Sequence, residues 1–122
     1  MAKHAKSEAS DMLADIVVHG MAERKAQEIV KLNLGQLQNS ITDYFVICHG
    51  TSRTQVEAIA DSVEAEVKKA VGLSPWHREG FENCEWILLD YFDVVVHIFQ
   101  AETRSFYQLE RLWADAGRTN VS

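Results

Sequence analysis

One proline and two cysteines are all that 122 residues contain of the residue types that stiffen loops or staple small folds. Cys48 lies in an apolar run and Cys84 in a polar loop, without C-x-x-C spacing, which excludes a disulfide framework and a zinc knuckle and points to a reducing compartment. No eighteen apolar residues run together, and the opening MAKHAKSEAS has no apolar stretch of a signal peptide, so no membrane association is expected and the cytoplasm is the expected location. Dense Lys/Arg stripes are absent as well. With eighteen acidic residues against twelve basic ones, the net charge is −6, which argues against direct, sequence-specific gripping of nucleic acid and favours a basic protein partner.

What is present is ordinary globular material, 47% hydrophobic and 25% charged, enough for one domain with its own core. Met12, Leu13, Ile16, Val17 and Met21 recur at helical spacing and predict an amphipathic helix from about Glu8 to Arg24. AQEIVKLNL reads as a strand, followed by a loop ending at Ser40, and YFVICH, Tyr44 to His49, as a buried strand closed by Gly50. A helix follows, with Ser52 as cap, Gln55 at capping-box spacing, Val56, Ile59, Ala60, Val63 and Val67 on its apolar stripe, and Gly72 as its end.

Pro75 opens a polar loop with room for a short edge strand. Trp86 to Asp90 and Val94 to Phe99 then form a hairpin, and Glu102 to Asp115 a helix with Phe106, Leu109, Leu112, Trp113 and Ala116 on one face. The order α-β-β-α-(β)-β-β-α predicts a single α/β (α+β) domain, a mixed sheet with helices packed mainly on one face. Residues 1–7 are expected to be a flexible N-terminus, 8–117 the domain and 118–122 a flexible C-terminal tail.

Strand alternation separates Ile87 and Leu89, with Val94, Val96 and Ile98, from Trp86, Leu88, Asp90 and His97. The first set covers the core. The second lies on a face that this architecture leaves without helices, and its Trp, Leu and rim carboxylate have the composition of an interface centre. The alternative is that Trp86 packs against its own loop or the N-terminal helix.

Other chemistry is weakly signalled. Gly50-Thr51-Ser52 between strand and helix can cradle a phosphate, but nucleotidyl transfer also needs two carboxylates on one strand face, and Asp90 and Asp93 flank a turn instead. Ser52 therefore reads as a structural cap. The histidines His4, His19, His49, His77 and His97 have no metal-ligand spacing with each other, with Cys48 or with Cys84, so neither a metal nor another cofactor is expected, and no Ser-His-Asp or Cys-His set is recognisable.

SITDYFVICHGTSRTQVEAIAD, EWILLDYFDVVVHIF and ETRSFYQLERLWADA, in that order, resemble the Iojap family, the ribosome-silencing factors (RsfS), and KAQEIVKLNL fits the family's first strand. The resemblance implies a nucleotidyltransferase-like fold without catalytic equipment, thus no enzyme. It implies docking on ribosomal protein L14 of the large subunit, blocking of an intersubunit bridge, exclusion of the small subunit, and repression of translation when nutrients are limiting. The docking surface it implies falls on Trp86, Leu88, Asp90 and Asp93, with Glu79, Glu102, Arg104 and Tyr107 as further contacts, and a homodimer burying Trp86 is a competing use of the same face. Phe92 stands where the family usually has glycine, which predicts a wider hairpin turn, and Cys48-His49 precede Gly50 where a smaller hydroxyl residue is common.

Overall fold

The computed structural model describes residues 2–35, 37, 41–114 and 116–121, with side chains from residue 8 onward. His4, part of the loop ending at Ser40, and Asp115 thus lie outside the described side chains. The elements are α1 (Ala2–Glu23), β1 (Gln27–Asn33), β2 (Tyr44–Gly50), α2 (Arg53–Val71), β3 (His77–Glu79), β4 (Trp86–Asp90), β5 (Val94–Gln100), α3 (Ala101–Tyr107), α4 (Leu109–Leu112) and β6 (Gly117–Asn120). The strands form one mixed sheet in the order β3-β4-β5-β2-β1-β6, with β2 and β5 parallel at its centre and the other pairs antiparallel.

The main core lies between one sheet face and the long helices α1 and α2. Val46, Cys48, Ile87, Leu89, Val94, Val96 and Ile98 meet Val17 and Met21 of α1 and the stripe Val56, Ile59, Ala60, Val63 and Val67 of α2, all buried. Gly20, which weakens α1 in a propensity reading, explains the close helix contact. A Cβ there would stand 2.8 Å from Val63 Cα, and the Gly20 carbonyl accepts from Ser62 Oγ at 2.8 Å. Lys31 of β1 clamps α1 from the side through Asp11 and Asp15, at 2.9 Å each.

Ser52 caps α2 by accepting the Gln55 N–H at 3.1 Å, and Gly72 ends it at φ 73. Ser52→Ala should cost about 1 kcal/mol in urea unfolding, the usual worth of such a cap.

Two readings of the C-terminal part need correction. The last helix is broken at Gln108, which turns to φ 48 and donates its N–H to Arg104 O. This redirects the chain so that Leu109 and Ala116 are buried, while Phe106 and Leu112, expected on the same face, stay exposed. Residues 117–120 are a strand rather than a tail: β6 pairs with β1, Leu32 opposite Arg118. Its sequence GRTN shows no hydrophobic alternation, because an exposed edge strand is held by backbone pairing alone. At the other end, α1 begins at Ala2, inside the segment expected to be flexible. Cys84, placed in a polar loop, is wholly buried in the main core.

Candidate docking face

The second sheet face is covered over half its width and open over the rest. Towards β1, Val30, Leu32, Ile47 and Phe99 pack with Leu34, Leu109 and Ala116 into a smaller core. Towards the Asp90 end of β4 no helix follows among the described residues. Leu88, Val95, Phe45 and His97 there floor a groove of about 650 Å³, walled by Ile41, Trp113, Trp76, Phe92 and Asp90.

The strand parity expected for β4 is present, with Ile87 and Leu89 buried and Trp86, Leu88 and Asp90 on the other side. Across the ladder Leu88 faces His97 on β5 and Glu79 on β3, which puts an acid on the groove's outer edge.

Trp86 sits differently from either reading of it. It packs neither on α1 nor on its own loop, but against Phe99 and the Tyr107 ring of α3, at 4.8 and 4.9 Å between centroids. Its indole N–H donates to His97 Nδ1 at 3.1 Å. Trp86 is therefore a half-buried wall between the covered and open halves, and Leu88 takes the centre of the open half.

His97 lies under that centre with 4% exposure, its ring edge-to-face with Phe45 at 4.6 Å. Because Nδ1 accepts from Trp86, the neutral ring carries its proton on Nε2, which has no hydrogen-bond partner among the described residues. Burial drives its pKa from 6.5 down to about 3. The folded protein thus resists a proton that the unfolded chain takes up below about pH 6.5. Stability should be full above that pH and fall as the pH drops towards 3, by about 1.4 kcal/mol per pH unit for this group. Urea unfolding of wild type and His97→Gln between pH 7 and 5 checks this: the variant's loss should be the shallower.

The turn after β4 is tight, not wide as the bulk of Phe92 predicts. Tyr91 N–H donates to Val94 O and Asp93 N–H to Tyr91 O, both at 2.9 Å, so Phe92 is the middle residue of a γ-turn at φ 72. Asp90 secures it by accepting the Phe92 N–H at 2.8 Å. Phe92 also stacks on Trp76, 5.0 Å between centroids and 12° between planes, and both rings are largely exposed, 63% and 58%. The Trp76 backbone N–H donates to Asp90 O at 3.0 Å.

Of the residues expected at a partner surface, Leu88 and Asp90 line the groove, Glu79 and Asp93 flank it, and Tyr107 and Glu102 stand on α3 beyond Trp86. Arg104 does not belong with them. It is 8% exposed and turned inward, donating to Glu110 at 2.8 Å and paired with His49 at 2.9 Å. Its charge holds the α3–α4 turn, and burial, followed by this charge, keeps His49 below the usual histidine range. Trp76, Ile41, Phe45, Val95 and Trp113 were missed by sequence reasoning. Only Trp76, beside the single proline and ahead of an edge strand, left a sequence signal.

The Gly50-Thr51-Ser52 corner is filled by its own chain. Gln55 Oε1 accepts the Thr51 N–H at 2.7 Å, its Nε2 donates to the Arg24 and Lys25 carbonyls, and Ser52 Oγ is spent on the helix cap. Two N–H donors of this corner, those of Thr51 and Gln55, are thereby occupied. Among the described residues no group of three or more His, Cys, Asp or Glu is placed to hold a metal ion.

The family model described as "Ribosomal silencing factor during starvation" matches residues 6–122. The ribosomal silencing factor RsfS of Halalkalibacterium halodurans is 40% identical over 104 residues, 85% of this chain and 87% of that protein. That of Bacillus subtilis is 40% identical over 94 residues, covering 77% and 78%. A crystal structure of a Chromobacterium violaceum protein superimposes with a TM-score of 0.81 at 29% identity, covering 92% of each chain. With the fold, the matched length and the relatives in agreement, this chain belongs to the ribosomal silencing factor family.

Proposed function

We propose that the protein silences ribosomes without catalysis, by seating the open half of its second sheet face on ribosomal protein L14 of the large subunit. The seated domain then occupies an intersubunit bridge, the small subunit is excluded, and translation is repressed under nutrient limitation. No cofactor takes part, and the action is cytoplasmic.

One observation carries this reading: an unpaired apolar groove, floored by Leu88 and edged by Asp90 and Glu79, in a chain of net charge −6. Exposed apolar patches rimmed by polar groups mark interaction sites, and acids on the rim suit a basic ribosomal protein. Leu88, Asp90, Asp93 and Glu79 make the contact, with Trp86, Tyr107 and Glu102 bordering it. Arg104, being buried, takes no part in the contact and holds the α3–α4 turn.

Co-sedimentation with purified large subunits tests the proposal, and binding that weakens with added salt is expected. Analytical ultracentrifugation of the free protein decides whether a homodimer competes for the same face. A monomer at the concentrations that bind subunits leaves the groove available, whereas a tight dimer lost in Leu88→Arg would make self-association its use.

A further inference from the structure

We propose that the stacked rings of Trp76 and Phe92 form a plate that receives a lysine or arginine side chain of the basic partner, at the rim of the docking groove. The proposal rests on the docking reading above. It adds a specificity element that this chain owes to a phenylalanine in the turn.

Strain supplies the first reason. An L residue at φ 72 in a γ-turn carries a conformational cost that glycine would avoid, and such strain persists only where surrounding interactions hold it. Here the Asp90 carboxylate, the Tyr91 and Val94 backbone and the Trp76 ring all hold it. Yet Phe92 buries little in return. The turn thus spends strain to present a ring to solvent rather than to fill a core.

Orientation supplies the second. Nearly parallel planes, 12° apart, turn the inner faces of the two rings towards each other and leave an outer face for a cation, and aromatic faces carry the negative pole of the ring quadrupole. Asp90 is tied to the backbone of both residues, its carboxylate accepting the Phe92 backbone N–H and its carbonyl the Trp76 backbone N–H, and it lines the same groove as the two rings. Asp93 follows in the same turn, and Glu79 lies on the adjoining edge strand. An aromatic face beside a carboxylate attracts a cation more than it attracts an apolar or anionic group. The chain uses the same contact internally, with the Arg78 guanidinium 4.1 Å above the Phe81 ring.

The test measures binding of purified large ribosomal subunits to wild type, Phe92→Gly, Phe92→Leu and Trp76→Ala, with thermal melting of each variant to establish that it is folded. Phe92→Gly relieves the strain and loses the stack, and should melt close to wild type while binding about tenfold more weakly. Trp76→Ala should lose a similar factor. Phe92→Leu keeps apolar area but has no quadrupole and should bind as weakly as Phe92→Gly. Wild-type affinity in Phe92→Leu would replace the cation with an apolar side chain and overturn the proposal, as would wild-type affinity in Phe92→Gly. Failure of the wild-type protein itself to bind subunits would instead overturn the docking reading on which the plate depends.

Discussion

Leu88→Arg should abolish co-sedimentation with large ribosomal subunits while leaving the protein folded. Leu88 is only half-buried on the open face, so a longer polar side chain has solvent to reach into, and its cross-strand neighbour Glu79 offers the new cation a partner. The free protein should therefore change in stability by no more than about 1 kcal/mol. Docking is affected by three losses at once: the apolar contact at the groove's centre, the desolvation of a charge, and repulsion from a basic partner. Central interface positions lose about 2–4 kcal/mol on truncation alone, so the affinity should fall by at least about 100-fold. Titration of labelled protein into large subunits, with circular dichroism as the control for folding, measures it. A variant that binds like wild type would move the contact away from β4.

Gly80→Ala should be the most damaging small substitution for the fold. Gly80 sits at φ 91, and a Cβ there would lie 1.9 Å from the Trp86 carbonyl oxygen, a backbone atom of β4 that cannot swing aside. The entry into β4 would have to move, and with it Cys84, whose N–H is bound to Gly80 O at 3.0 Å and whose side chain is wholly buried. Backbone strain and overpacking together should cost about 3–5 kcal/mol and lower the melting temperature by about 10–20 °C. A melting temperature within a few degrees of wild type would mean that the loop between β3 and β4 has slack that its geometry does not reveal.

The contrast between these two positions also explains what was legible in the sequence. Periodicity carries information about burial, so the α2 stripe, the alternation of β4 and β5 and the capping by Ser52 could be read from residue order. Leu88 and Asp90 could be placed on the face opposite Ile87 and Leu89 by parity alone. Features set by backbone geometry were not legible. GRTN pairs with β1 through main-chain bonds that any residue but proline can make, the break at Gln108 depends on a left-handed residue that glutamine does not advertise, and Phe92 accepts a positive φ that its side chain disfavours. Gly20, a weak point for an isolated helix, lets α1 pack directly on the α2 backbone at Val63.

The carry-over misleads at Arg104, which is buried. The family resemblance placed it among the partner contacts, yet the helix is cut short and the side chain is folded under, onto Glu110 and His49. The reverse error concerns Trp86, whose size suggests an interface centre. In the fold it closes the boundary between two halves of a face, with its N–H committed to His97. The centre of the candidate site thus shifts from Trp86 to Leu88 and outwards to Phe92 and Trp76, where no helix of the described residues lies.

Subunit joining is the most direct test of the central claim. Purified large subunits are incubated with the folded protein, small subunits are added, and light scattering follows association. Wild type should suppress the rise in scattering at concentrations where it co-sediments with large subunits, and Leu88→Arg should allow the rise in full. If saturating wild-type protein leaves both the rate and the extent of joining unchanged, the protein does not silence ribosomes by occupying the subunit interface.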